Sequence, residues 1–391
     1  MYRQYIFAIT MQLKYIFLIL SIAVLFFIFF KKYDFGERWK ENMSNANESI
    51  SGSTDCSASC DDNSYKESAD LPLKEYCVKA SFNSAYNGTD VSKETIQQRI
   101  IDGYRFLDLN VFSASGDIYV GYSPDNTPTI ISNKLLLSDA LKLISDSAFS
   151  SSTTFESKMK NIASYPVFVH IRIYRKPGSS IDIISNVEKV INGATGSTKP
   201  SYTVNYLRDS EGKPTQINNC TKLSALMGGK IIFSMDILNI LEIYAPANYQ
   251  DAKTVPPETI ASLQKFANIL TGGSTLPAFY RYTEDSLIHR TNKLGLGDGS
   301  TRGSLKTNVK HMYISFPHPD DVDKSSSNAK LTGAKQPNIT SFLLDRSIQF
   351  TPLRVYLADP NLDTYIKMFE KIGTPFAPMI YVYQHLSTGS G

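Results

Sequence analysis

A chain of 391 residues is long enough for two or three ordinary domains or one large barrel with extensions, which excludes a small stapled scaffold. Lys and Arg number 40 against 37 Asp and Glu, and 42% of the residues are hydrophobic, so the chain can bury a core and lacks the overall basicity of a nucleic-acid binder. The four cysteines, Cys56, Cys60, Cys77 and Cys220, are too few for a disulfide framework and lack zinc-ligand spacing. Asn-X-Ser/Thr sequons stand at Asn42, Asn47, Asn87, Asn219 and Asn338, about as many as so Asn-, Ser- and Thr-rich a chain gives by chance, and they assign no compartment.

The first element is Tyr15 to Phe30, sixteen residues without a charge, closed by Lys31 and Lys32. As a helix it covers about 24 Å and, with Lys14 snorkelling, makes a slightly short membrane span. A cleaved signal peptide would end in a small-residue cleavage site, and Leu25 to Phe30 followed by two lysines offers none. The expectation is therefore a single-pass anchor over residues 1–32. The cations on its two sides nearly balance, so the side of the membrane stays open. Residues 33–70 follow as a stalk. From Met43 to Ala69 they are dominated by Ser, Asn, Asp, Glu and Gly and offer too little apolar surface to offset their ordering entropy.

The globular region is expected over residues 71–386, with 387–391 as a tail. Strands are expected at Tyr76–Phe82, Phe106–Val111, Ile118–Gly121, Val167–Ile173, Ile231–Met235, Met312–Phe316, Leu353–Ala358 and Met379–Tyr383. Helical spacing predicts helices at Ser92–Ile101, Lys134–Phe149, Ile181–Ile191, Pro257–Leu270 and Leu362–Lys371. About eight strands interleaved with helices point to an α/β fold of the TIM-like (β/α)8 barrel type. An open doubly wound sheet is the alternative, but no GxGxxG or Walker loop follows a strand. Gly193–Leu223 and Thr271–Thr307 read as polar surface insertions.

Two strands alternate in a telling way. In Val167 to Ile173 the odd positions are β-branched, while Phe168, His170 and Arg172 share the other face. In Phe106 to Val111, Asp108 and Asn110 lie opposite Leu107, Leu109 and Val111. Polar residues on the inner face near the carboxyl ends of barrel strands belong either to a site or to a salt-bridge layer that fills the interior.

Leu73 to Tyr76 with Ala80 to Tyr86, then Ile101 to Asn110, then Ile118 to Gly121, resemble the X region of phosphoinositide-specific phospholipase C. Ser147-Ala148-Phe149, Tyr165-Pro166-Val167 and Met227 to Ile232 resemble later parts of the same region. Ser325 to Asn328, Ile348-Gln349-Phe350 and Leu353 to Phe376 resemble its Y region. The resemblance implies a phospholipase C-like phosphodiesterase barrel, two histidines for acid and base catalysis, and a calcium ion held by oxygen ligands. At the histidine positions this chain carries Phe82 and Val120, neither of which moves a proton. At the metal positions it carries Asn83, Asp108, Asn110 and Arg172, a set that has lost acidic ligands and gained a cation, so calcium is not expected and neither is any other cofactor. The positions of the lipid-phosphate lysines carry Ser234 and Asp236. His170 as a displaced base and Tyr122 as a displaced acid are the candidates for rescued activity.

The resemblance and the anchor together imply a membrane-bound phospholipase C-like barrel, catalytically degenerate, that binds or scaffolds. Its expected partners are the membrane and a lipid head group or another protein. The alternatives are an active phosphodiesterase on phosphatidylinositol or a related phosphodiester with relocated catalytic groups, and a surface or virion-type membrane protein using the barrel as scaffold. Because Asp108 and Arg172 share a face on different strands, Arg172 is expected to occupy the cation position and pair with Asp108, with Asn83 and Asn110 as neutral acceptors.

Overall fold

The computed structural model describes residues 71–387 apart from internal segments, the longest of which are 237–256, 284–311 and 318–335. The chain divides into two units, Met1–Asp55 and Cys56–Gly391. The expected membrane span and stalk lie outside the described residues, and among those described no helix is long and apolar enough to cross a membrane.

The fold is α/β. In chain order the strands are β1 (Tyr76–Val78), β2 (Ala80–Ser81), β3 (Phe106–Ala114), β4 (Asp117–Gly121), β5 (Leu135–Leu136), β6 (Val167–Tyr174), β7 (Ile231–Asp236), β8 (Ile269–Thr271), β9 (Phe279–Thr283), β10 (Met312–Phe316) and β11 (Phe376–Pro378). The helices are α1 (Lys93–Ile101), α2 (Leu137–Ala148), α3 (Asp182–Asn192), α4 (Pro257–Gln264), α5 (Pro360–Ile372) and α6 (Met379–Ser387). Local chemistry marks their ends. The Ser92 hydroxyl caps α1 by accepting from the Thr95 N–H at 3.1 Å. Asp359 caps α5, with Pro360 in its first turn, and Gly373 at φ 80° closes it.

Strands β2, β3, β6, β7, β8, β9 and β10 pair successively in parallel. Isolated parallel bridges continue the series, Ile314 to Phe350, Phe350 to Val78 and Leu353 to Ser81, linking β10 to β1 and β2. The strands separate two apolar layers. Leu107, Leu109, Val111, Val169 and Ile171 face outward and pack on the helices with Ile96, Ile144 and Val187. Phe106, Phe168, Ile232, Ile269, Ile314 and Phe350 face inward and pack on each other. A phenol splices the gap between β1 and β2: the Tyr365 hydroxyl of α5 accepts from the Ala80 N–H at 2.8 Å and donates to the Val78 carbonyl at 3.2 Å.

Several expectations need correction. Ile118–Gly121 is a strand, but β4 runs antiparallel to β3 through a turn with Ser115 and Gly116 at positive φ, so it is a hairpin arm outside the parallel series. Leu353–Ala358 forms a turn after a single bridge, because Pro352 has no N–H to offer a ladder. Met379–Tyr383 is the start of helix α6, and the strand lies just before it as β11, antiparallel to β1. A short apolar run fits both states. The helix expected to reach Leu270 stops at Gln264 and gives way to β8.

Neither insertion is wholly a surface loop. The Asn268 side chain donates to the Leu207 and Thr215 carbonyls at 2.8 and 2.9 Å and accepts from the Phe233 N–H at 2.8 Å, stitching the first insertion to β7. Tyr206 packs edge-on against Phe233, and Ile217 is buried against the inner layer. The second insertion contains β9.

Candidate functional site

Inner-facing side chains change character along the strands. Toward the amino ends they are apolar; toward the carboxyl ends β3 presents Asp108 and Asn110, β6 presents His170 and Arg172, β7 presents Ser234 and Asp236, and β8 presents Thr271, all essentially buried. The register sets Asp108 beside His170, His170 beside Ser234 and Asn110 beside Arg172. Asp108 and Arg172 are thus diagonal neighbours on adjacent strands, within reach of a long side chain.

They form a bidentate ion pair. Arg172 Nε donates to Asp108 Oδ1 at 2.7 Å and Nη2 donates to Oδ2 at 2.6 Å, with both side chains excluded from solvent. Nη2 also donates to Asn83 Oδ1 at 2.7 Å, and Nη1 donates to the Tyr174 hydroxyl at 2.9 Å. Asn83 holds φ 46°, a left-handed conformation that Asn adopts more readily than most residues. Its N–H donates to Asp108 Oδ2 at 2.9 Å while its Oδ1 accepts from Asn110 Nδ2 at 2.7 Å. The guanidinium also lies over the Phe82 ring, 4.5 Å from its centroid, and 5.5 Å from that of Phe316. Burial acts to lower the proton affinity of Arg172. The charge of Asp108, then Tyr174, the hydrogen bonds to Asp108 and the charge of Asp236 outweigh it, so the group is held above its ordinary range.

The phospholipase C resemblance implies calcium here, and the donor set does not fit it. Both Asp108 oxygens and the Asn83 side-chain oxygen already accept hydrogen bonds from Arg172 or its neighbours. A hard divalent ion would share the pocket with a fixed guanidinium. Among the described residues no cluster of three or more His, Cys, Asp or Glu side chains could hold a metal. Asn110 Oδ1 is buried without a hydrogen-bond partner among the described residues.

The remaining sequence candidates scatter. Phe82 sits against Arg172. Val120 pairs with Val111 and shares the outer apolar layer, on the face of β3 opposite Asp108 and Asn110; its neighbour Gly121 is the one aligned with Asn110. His170 Nδ1 is 2.9 Å from Ser234 Oγ, and the imidazole lies between the Phe106 and Phe316 rings at 5.3 and 5.1 Å. Tyr122 is buried in the outer layer, stacked on Tyr86 at 3.7 Å, so the structure does not bring it together with His170.

Sequence reasoning missed three contributors. Tyr174 is two residues past Arg172 on the same face, and extending the expected strand by one residue would have found it. Phe316 closes an expected strand. Tyr356 lies in the segment misread as a strand, and its hydroxyl accepts from Asn83 Nδ2 at 3.4 Å.

No family model matches the sequence, and no curated protein matches it. Solved structures do. PLC21 of L. pealei is 12% identical with a TM-score of 0.52, covering 80% of this chain and 38% of its own. PLC21 of S. officinalis is 14% identical with a TM-score of 0.49, covering 80% of this chain and 37% of its own. The Ca2+-dependent phosphatidylinositol-specific phospholipase C of Streptomyces antibioticus is 10% identical with a TM-score of 0.36, covering 76% and 98%. The first of these likenesses shows a phospholipase C-like fold. The chain spans less than two-fifths of the length of either PLC21.

Proposed function

We propose that this chain is a membrane-anchored (β/α)8 barrel of the phospholipase C-like phosphodiesterase type that does not turn over a phosphodiester and serves as a binding or structural module. The observation that carries the reading is the Arg172–Asp108 pair. It occupies the place where the resemblance puts a calcium ion, at the carboxyl ends of two strands, where a barrel of this architecture carries its chemistry. Asp108 neutralises the guanidinium without metal, and among the described residues the positions weighed for proton transfer are not gathered around it: Phe82 stands against the guanidinium, Val120 is turned to the outer layer, and His170 meets Ser234 between two aromatic rings. General acid and base groups that act together need reach to one reacting centre, and Tyr122 in the outer layer is not brought together with His170 on the inner face, which favours the reading without turnover. Anchoring rests on the uncharged run Tyr15 to Phe30. The partners would then be the bilayer and a lipid head group or protein presented at it.

The test is hydrolysis of phosphatidylinositol vesicles and of glycerophosphodiesters by the purified full chain, with calcium and with chelator. Product formation indistinguishable from protein-free vesicles is expected in both conditions. Turnover that disappears in Asp108→Ala or His170→Ala would overturn the reading.

A further inference from the structure

One sequence motif has no part in this reading, the sequon Asn87-Gly88-Thr89. It forms the tip of a tight reversal closed by an antiparallel bridge between Tyr86 and Val91, in which the Asn87 N–H donates to the Asp90 carbonyl at 3.1 Å. Asn87 and Thr89 are both exposed, and Gly88 between them holds φ +110°. The Asn87 Oδ1 accepts three hydrogen bonds, from the Thr89 N–H at 2.8 Å, the Thr89 hydroxyl at 2.9 Å and the Asp90 N–H at 2.8 Å. Three donors on one oxygen fix the amide plane, and Nδ2 has no hydrogen-bond partner among the described residues. Donors on the oxygen also draw electron density from the nitrogen and ease loss of its proton.

The other described sequon is built differently. In Asn338-Ile339-Thr340 the middle residue is fully buried in the apolar core, and the Asn338 carbonyl accepts from the Phe342 N–H at 3.0 Å. Its backbone is part of a packed turn. The sequons at Asn42, Asn47 and Asn219 include residues outside those described.

We propose that Asn87 is an N-glycan acceptor, taking an oligosaccharide from a lipid-diphosphate donor, and that the globular part accordingly faces the lumenal or external side of its membrane. In the transfer Asn87 Nδ2 forms a bond to the anomeric carbon of the first sugar. The bond from that carbon to the diphosphate oxygen breaks, the lipid diphosphate leaves with the electron pair, and one Nδ2 proton passes to a base of the transferase. No oxidant or reductant is needed.

The test uses the full chain with its own amino terminus, expressed in a eukaryotic cell line with intact N-glycosylation. The protein is treated with peptide N-glycosidase in heavy-oxygen water, and the peptide containing Asn87 is read by mass spectrometry. Conversion of Asn87 to labelled Asp is expected only where the glycosidase is present; because an Asn-Gly peptide also deamidates through a succinimide that takes its oxygen from water, equal labelling without the enzyme overturns the proposal. A gel-mobility step should be lost in Asn87→Gln and in Thr89→Ala but retained in Thr89→Ser. An unmodified Asn87 overturns the proposal, whether the remaining sequons are filled or empty. The readout on the unsubstituted chain does not depend on any variant folding, nor on whether the barrel hydrolyses lipid.

Discussion

Two arginines near opposite ends of the same strand pair are buried to the same degree and live in opposite electrostatic worlds. Arg105, just before β3, has its guanidinium among carbonyls. Nε and Nη2 donate to the Ile162 carbonyl at 3.2 and 2.8 Å, Nη2 donates to the Ala148 carbonyl at 3.1 Å, and Nη1 donates to the Tyr104 carbonyl at 3.3 Å. One of these belongs to a helix end that needs a donor, the last turn of α2, while the Ile162 carbonyl, opening a short 3-10 turn, also accepts from the Tyr165 N–H at 3.3 Å. Among the described residues no carboxylate joins them, and burial pushes the Arg105 group down to about 9. Arg172, equally buried, is held above its ordinary range because Asp108 accompanies it. Backbone dipoles satisfy the hydrogen-bonding geometry of a buried cation; a formal negative charge is needed to compensate its desolvation.

The largest expected effect comes from breaking the charged centre on one side. Asp108→Ala leaves Arg172 buried without its counter-charge and should destabilise the fold by about 3 to 5 kcal/mol in denaturant unfolding. The double replacement Asp108→Leu with Arg172→Met removes both charges and should cost far less than the single one. Equal losses in the two variants would show that Asp108 contributes packing alone. At the other end, Arg105→Met removes only carbonyl contacts, and about 1 to 3 kcal/mol is expected. A loss matching that of Asp108→Ala would erase the contrast.

Three buried phenols sharpen the comparison through pH. Burial raises Tyr365 well above its ordinary value, raises Tyr104, and pushes Tyr383 up to about 12. Raised phenol pKa values stabilise the neutral, folded form. That contribution is complete below the unfolded pKa of about 10 and drains away as pH rises through the folded values. Arg172, raised as well, keeps its contribution throughout that range. Alkaline titration followed by phenolate absorbance should therefore show these tyrosines ionising together with unfolding above about pH 10, rather than as independent exposed groups. Smallest of all should be Asn110→Leu. It loses one hydrogen bond to Asn83 but also removes a buried acceptor that has no partner among the described residues, so a net change within about 1 kcal/mol is expected. A loss of several kcal/mol would mean that Asn110 Oδ1 is engaged in solution.

The pair at the centre was legible because strand alternation is strict. Once Asp108 and Arg172 were assigned to inner faces of strands that the register makes neighbours, their charges had one place to meet. The face that Val120 occupies was not legible for a complementary reason. The resemblance matched residues along the chain but carried no information about which face of a hairpin arm a residue occupies. Strands β8 and β9 escaped notice because the three residues of β8 follow directly on a helical pattern and the five of β9, Phe279-Tyr-Arg-Tyr-Thr, sit in polar text without an apolar run. Their pairing is dictated by neighbours distant in sequence. The same is true of Asn268, an ordinary loop residue by composition that holds three backbone groups only because the first insertion folds over it.

The Tyr365 phenol has a consequence in time. It completes the break between the first two strands with a hydroxyl that lies 285 residues downstream of Ala80. The bridges from Phe350 and Leu353 to those strands likewise come from late in the chain. During synthesis, therefore, the opening strands leave the ribosome long before the partners that secure them, and β1 and β2 wait with unpaired backbone groups until α5 has emerged. Closing such distant contacts slows folding and leaves edges available to other chains meanwhile. A nascent chain halted before residue 365 would hold nearly all of its inner layer and still lack the group that locks its first two strands together.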